Sequence, residues 1–316
     1  MGNRTIAREP GVPAGHAASG TSEGTRRYAS RFAERYADDF FRAGPGGLSL
    51  SSLGIGTYLG DCSDAEDARY ADVIRKAIGQ GVNVVDTAIN YRHQRSERAI
   101  GEALRRAFEH GEARRDELVI CSKGGYIPLD REPLTKRAAY EQFLRREFYE
   151  PGVMTPDDVV GGGHSLAPGF LRYCIAKSRN NLGIRSIELY YLHNPETQLP
   201  VMAASSFRER MRAAFMVLED AVSRGDIGGY GCATWSALRS TPESRGHLSL
   251  RDLVALAREV AGDGHHFRAV QLPINLAMAE AVRVPTQTSL DGTLVSVLDA
   301  AQELGLAVVA SAPLMQ

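Results

Sequence analysis

The chain of 316 residues is short of several things, and each shortage excludes a class. Its four cysteines, Cys62, Cys121, Cys174 and Cys232, are scattered and make no C-x-x-C pair, so neither a disulfide framework nor a thiol redox motif is present. Cys121 and Cys232 lie in apolar runs and read as reduced, buried thiols. Charge of one sign is lacking, with a formal net charge of −1, so the chain carries no electrostatic footprint for nucleic acid or an anionic membrane. No apolar run approaches the roughly 20 residues that span a bilayer. Arg26-Arg27 is a twin arginine, but Tyr28-Ala29-Ser30-Arg31 follows it where an export signal has an apolar stretch, which points to the cytoplasm. H-x-H and H-E-x-x-H are missing, so His93, His164, His193, His265 and His266 offer no recognisable metal spacing, and no metal is expected. Lysine is scarce too: only Lys76, Lys123, Lys136 and Lys177.

What is present is rhythm. Residues 1–26 read as a disordered segment rich in small residues, and residues 27–316 as the folded domain. Tyr28, Phe32, Tyr36 and Phe40 recur at i, i+4 and predict a helix over 27–43 that packs an aromatic stripe on the domain. From 48 onward strand and helix alternate. A hairpin and first strand fall at 48–58, with later strands at 82–86, 117–123, 186–193, 226–234, 267–275 and 306–311. Helices are predicted at 63–81, 96–111, 167–183, 205–225, 248–262 and 290–305. Several strands are continuous apolar runs, as in parallel strands buried on both faces. A doubly wound sheet and a (β/α)8 barrel both fit this alternation. The first turn, Gly54-Ile55-Gly56, has no third glycine to complete a dinucleotide fingerprint, and the glycines at 161–163 follow no strand.

In a barrel, catalytic groups sit at the C-terminal ends of strands. The residues at those ends here are Asp86, Lys123 and His193, with Gln271 on the sixth strand and Tyr91 five residues past Asp86. A lysine ammonium beside a phenol favours the phenolate and brings its pKa toward neutrality, which suits a proton donor and acceptor.

These residues resemble the aldo-keto reductase family. Asp86-Thr87-Ala88-Ile89-Asn90-Tyr91 is similar to the family's D-T-A-x-x-Y. Ser96-Glu97 with Ile100-Gly101 is similar to its S-E-x-x-[LI]-G, and Leu182-Gly183 through His193 to its L-G-x-x-x-[IV]-[DE]-L-x-x-x-H. The resemblance implies a (β/α)8 TIM barrel binding NADPH across its mouth, with NADH left open. It implies hydride transfer to the carbonyl of an aldehyde or ketone, or from the corresponding alcohol or aldose. Tyr91 is then the general acid and base, Lys123 paired with Asp86 tunes it, and His193 orients the carbonyl. Cofactor contacts carried over are Gly56, Thr57, Tyr58, Asp86, Thr234, Gln271 and Ser311. The implied partner is a small-molecule carbonyl or alcohol, and the oligomeric state stays open.

The chain also departs from the pattern. Arg92-His93-Gln94-Arg95 lengthens the loop after the tyrosine. Residues 124–165 form an insertion expected to cap the substrate site, with Tyr126, Tyr140, Phe143, Phe148 and Tyr149 read chiefly as holding that cap together. Ala233 stands where the family has a polar side chain, and Ser311 where it has a stacking tyrosine. Seven strand–helix units precede Gln316, so the expectation is a barrel incomplete at its C-terminus, poorly soluble and inactive toward NADPH. Two other readings remain at this stage: a non-catalytic nicotinamide-binding or regulatory barrel, and a metal-dependent hydrolase.

Overall fold

The computed structural model describes residues 19–315. The chain divides into two compact units. The first is residues 19–122 with Pro128–Pro133 and Ile175–Glu188; the second is Lys123–Ile127, Leu134–Cys174 and residues 189–315.

In the first unit a short hairpin, Phe41–Ala43 against Ser49–Ser51, leads into β1 (Gly54–Gly56). β1 pairs parallel with β2 (Val84–Asp86), and β2 with β3 (Val119–Gly124). The unit boundary falls within β3, after Ser122. Every residue of β3 is buried, which explains why its sequence is a run and not an alternation.

Helix α1 is Ser22–Ser30, and α2 (Asp64–Ile78) is capped by Ser63, whose side chain accepts from the Glu66 N–H. Acidic residues fill the first turn of α2, Arg75 and Lys76 its last, and Ala71, Ile74 and Ile78 face the core at helical spacing. α3 (Arg95–Glu109) buries Ala99, Ile100, Ala103, Leu104 and Ala107 in the same manner.

The acidic residue of the fourth-strand motif, Glu188, is structural. Its Oε2 accepts from the Ile120 N–H at 2.7 Å and its Oε1 from Arg115 at 2.7 Å, with both side chains 3% exposed. A buried pair of this kind holds only when its remaining lone pairs are satisfied, and the Gly20 N–H supplies a further bond at 2.6 Å.

In the second unit β4 (Leu189–His193), β5 (Tyr230–Ala233), β6 (Phe267–Pro273) and β7 (Ala307–Ser311) pair parallel in chain order. α6 (Ala204–Ser223) covers them with Phe207, Met211, Ala214, Phe215 and Leu218. Phe215 stacks on Phe267 at 5.4 Å and meets the Tyr230 ring at 5.1 Å. The insertion contributes α4 (Arg137–Leu144), continued by a turn of π-helix over Arg145–Tyr149. Further helices are α5 (Pro168–Leu182), whose last eight residues belong to the first unit, and α7 (Leu250–Ala261) and α8 (Val297–Glu303) in the second, with a single helical turn at Glu280–Arg283. Among the described residues no helix is long and apolar enough to cross a membrane.

Three expectations need correction. The helix predicted over 27–43 ends at Ser30. Tyr28, on the helix, is fully buried, whereas Phe32, Tyr36 and Phe40 lie on the turns beyond it and are half-buried, Tyr36 stacking on Phe40 at 4.1 Å. Disorder was expected over 1–26; residues 1–18 lie outside the described residues, and residues 22–30 are helical, with Arg27 paired to Asp116 and Glu117. The helix predicted from Leu290 begins only at Val297, because Gln287–Thr288 and Leu294–Val295 form a hairpin. Asp291-Gly292 makes its turn, with Gly292 at φ +94°, a conformation glycine adopts at little cost.

Candidate active site

In the first unit, Asp86 closes β2. Its register partners are Gly56 on β1 and Cys121 on β3, and the next residue, Thr87, donates its N–H to the Cys121 carbonyl at 3.0 Å. Thr57 is fully buried. Its hydroxyl lies 2.8 Å from that of Thr87 and 3.2 Å from the Asp86 carbonyl, so this side chain supports the strand end. Gly56 faces open space, and Tyr58 is 66% exposed with its ring edge-on to that of Tyr91, centroids 5.1 Å apart.

Immediately after Tyr91 the chain does something rare. Arg92, His93 and Gln94 have φ of 47°, 55° and 69° in succession, the left-handed region that costs roughly 1–2 kcal/mol for each residue with a Cβ. Ion pairs hold the turn in place. Arg92, its side chain 2% exposed, reaches the Asp61 carbonyl at 2.6 Å and Asp67 at 2.6 Å. Arg95 bonds Asp64 at 2.9 Å, Asp67 at 2.6 Å and the Arg131 carbonyl at 3.0 Å. Gln94 donates to the Leu129 carbonyl at 3.0 Å. Burial, then the Arg95 charge, lowers the His93 pKa.

The motif pair Ser96-Glu97 does not cap α3. The N-cap is Gln94, in a left-handed conformation and without a capping side chain. Ser96 donates to the Thr57 carbonyl at 2.7 Å. Glu97, fully buried, accepts from the hydroxyl of Ser122, the residue before Lys123, at 2.6 Å and from Asn181 at 2.8 Å. Burial raises the Glu97 pKa, and these hydrogen bonds oppose the rise.

In the second unit, Lys123 is 1% exposed near the end of β3, and His193 is 8% exposed at the end of β4. The His193 pKa lies well below its ordinary value, first through burial, then through the positive charge of Lys123. His193 is therefore neutral at physiological pH, the form that donates one N–H without adding charge.

Thr234 follows β5, its N–H bonded to the Gln271 carbonyl at 2.8 Å. Its buried hydroxyl has no hydrogen-bond partner among the described residues, and a desolvated polar group of this kind calls for a ligand atom or water. Gln271 is 5% exposed on β6, opposite Ala233 and Val309. Ser311 ends β7, its carbonyl accepting from the Ile274 N–H.

Groups that spacing did not reveal also belong to these strand ends. Glu196 accepts from the Trp235 N–H at 2.7 Å, leaving the Trp235 ring 51% exposed beside Thr234. Burial raises the Glu196 carboxyl pKa. His164 and Tyr126 contact His193 directly.

The pattern of strands, strand-end polar groups and motifs agrees with a family model: residues 52–244 match that of the aldo/keto reductase family, and the chain belongs to this family. D-threo-aldose 1-dehydrogenase of Pseudomonas sp is 30% identical over 181 residues, 55% of this chain and 50% of that protein. The chain thus spans about half the length of that curated relative. Among solved structures, an aldo/keto reductase from Klebsiella pneumoniae in complex with NADP and acetate aligns with a TM-score of 0.54 at 18% identity, covering 87% of this chain and 69% of that one. The glycerol dehydrogenase of Gluconobacter oxydans aligns with a TM-score of 0.53 at 18% identity, covering 88% and 64%. The fold is that of the aldo-keto reductase (β/α)8 barrel, of which seven parallel strands occur among the described residues.

Proposed function

We propose that the chain is an NADP(H)-dependent oxidoreductase in which Tyr91 exchanges a proton with the oxygen of a carbonyl or alcohol substrate. NADPH, when bound, supplies the hydride; NADP takes it up in the reverse direction. In reduction Tyr91 gives its phenolic proton to the carbonyl oxygen, and in oxidation the phenolate takes it back. The Lys123 ammonium favours the phenolate, with Asp86 as its counter-charge. Neutral His193 donates to the substrate oxygen as negative charge grows there. Thr234, Gln271 and Ser311, with Gly56 and the Tyr58 ring, are the cofactor-side groups, and the unpartnered hydroxyl of Thr234 is the feature of this chain that best fits a bound amide. Aldoses oxidised at C1 are the first substrates to test, since the curated relative is named an aldose 1-dehydrogenase.

The observation that carries the reading is a pair of buried groups at successive strand ends in the second unit. Lys123 is 1% exposed and His193 is 8% exposed, and ionisable groups clustered in a buried place carry a desolvation cost of the kind that marks functional sites. The test is Tyr91→Phe, followed by NADPH formation from an aldose and NADPH consumption with glyceraldehyde. Removing the hydroxyl is expected to lower kcat by roughly 10²- to 10⁴-fold while NADPH binding, read by fluorescence, stays within about twofold. A Tyr91→Phe protein as active as the parent would overturn the assignment.

A further inference from the structure

Beyond the pairing of His193 with Ala233 on β5, the insertion supplies two contacts to His193. Its backbone carbonyl accepts a hydrogen bond from Nε2 of His164 at 2.8 Å. A carbonyl can only accept, so Nε2 bears the proton. The other ring nitrogen, Nδ1, lies 3.0 Å from the side-chain amide nitrogen of Gln198, which can only donate. The tautomer is therefore fixed and the ring neutral. A second proton on Nδ1 would face the Gln198 N–H. Turning that amide over would cost the bond from Arg210 to the Gln198 Oε1 at 3.2 Å. Burial acts in the same direction: His164 is 1% exposed and its pKa falls to about 4.

The Tyr126 ring is edge-on to both imidazoles, 5.0 Å from that of His164 and 5.0 Å from that of His193. Its hydroxyl is tethered to the residues that follow His193, accepting from Asn194 at 3.2 Å and lying 3.3 Å from the Thr197 hydroxyl. Asn194 itself is left-handed, with φ of 46°. The close approach depends on Gly125: a Cβ there would stand 2.8 Å from the His193 carbonyl oxygen and 2.9 Å from His164 Nε2. Two backbone bonds, Ser165 N–H to the Gly125 carbonyl at 2.7 Å and Ile127 N–H to the Gly163 carbonyl at 2.8 Å, lace the end of the insertion to the segment after β3.

We infer that His164 and Tyr126 are positioning residues for His193, His164 fixing the backbone and Tyr126 the imidazole, so that His193 meets the substrate oxygen in one orientation. The inference rests on the redox reading for its consequence in turnover, and on geometry alone for the hold on His193. A misplacement of about 1 Å in such a group costs up to about 10²-fold in rate.

The test uses the full chain labelled with ring ¹⁵N-histidine. In the parent, His164 is expected to show the Nε2–H tautomer, unchanged from about pH 8 down to about pH 5.5. His164→Leu is expected to move the ring resonances of His193 and to lower kcat for NADPH-dependent glyceraldehyde reduction by about 10- to 100-fold, with the NADPH Kd unchanged. His164→Gln, whose amide can reach the same carbonyl, is expected to restore kcat to within about fivefold. If His164→Leu does not fold, Tyr126→Phe carries the test, since it deletes only the hydroxyl tether, with a several-fold loss in kcat and a His193 shift expected. A folded His164→Leu protein with unmoved His193 signals overturns the inference, as does a His164 ring protonated on Nδ1. If parent and Tyr91→Phe prove equally inactive, the redox reading fails, and the ring resonances alone still decide whether His164 holds His193.

Discussion

The turn after Tyr91 and the cluster around His193 solve one problem in opposite ways. Each must fix a polar side chain at a strand or loop end. In the first unit the backbone is strained, with Arg92, His93 and Gln94 all left-handed, and the strain is offset by the charges of Arg92, Arg95, Asp64 and Asp67. In the second unit no charged group pairs with His164 among the described residues. Neutral imidazole, amide and phenol groups satisfy one another around His193. The first design depends on a buried guanidinium keeping its carboxylate, the second on a buried imidazole staying neutral. They should therefore fail under different conditions.

The largest effect is expected from Asp67→Ala. It removes the carboxylate shared by Arg92 and Arg95 and leaves Arg92, 2% exposed, without its only ion-pair partner among the described residues. Breaking a buried pair from one side costs about 3–5 kcal/mol; Asp67 is itself 26% exposed, which places the expected loss near the lower end. Urea unfolding measures it, and a loss below about 1 kcal/mol would show that the turn does not depend on this pair.

Acid should strike the other region. The folded His164 pKa of about 4 lies below the ordinary 6.5, so as pH falls through 6.5 the unfolded chain takes a proton that the folded one refuses. Stability contributed by neutral His164 is complete above pH 6.5, declines between 6.5 and about 4, and is flat below that. The decline is on the order of 3 kcal/mol, and His193, also depressed, adds to it in the same direction. Comparing urea stability across that range for parent and His164→Gln isolates the first share. Equal slopes in the two proteins would mean that His164 is not buried neutral.

The smallest effect is a gain. His93→Gly keeps the bond from the Arg131 N–H to the carbonyl of residue 93 and relieves one left-handed residue, so stability should rise by about 1 kcal/mol or less. Thermal unfolding checks this, and a fall in Tm would mean that the His93 ring holds the turn.

Much of the fold was legible because its signals are local. Residues 118–121 are an apolar run within the strand expected over 117–123, and the strand there, Val119–Gly124, is buried at every position. Asp86, Lys123 and His193 stood out because a charged or polar group ending such a run interrupts the pattern. Where local signals competed, the reading slipped. The i, i+4 aromatics from Tyr28 to Phe40 imitate a helical stripe, yet the helix stops at Ser30, and Phe32, Tyr36 and Phe40 lie half-buried on the turns that follow. Leu290 to Leu304 has helical spacing, but the Asp291-Gly292 turn prevails over its first half. Burial was also underestimated as a fate for polar residues: Ser96 and Glu97 resemble a helix start, and both turn inward to support the ends of other elements. Among the insertion aromatics, Phe148 does hold its segment together, packed on Phe143, Phe170 and Tyr173, whereas Tyr126 turns to His193.

The sequence by itself determined the strand–helix alternation, the motif residues and the family, because hydrophobic period and motif spacing act over a few residues and leave their mark in order along the chain. Only the tertiary structure decided what steadies those residues. His164 and Tyr126 stand 29 and 67 positions from His193, and no spacing rule joins them to it. Their meeting depends on an insertion that folds back and on a glycine that lets two backbones approach. The left-handed turn after Tyr91 is likewise invisible in Arg-His-Gln, since three successive residues with side chains seldom adopt such angles together.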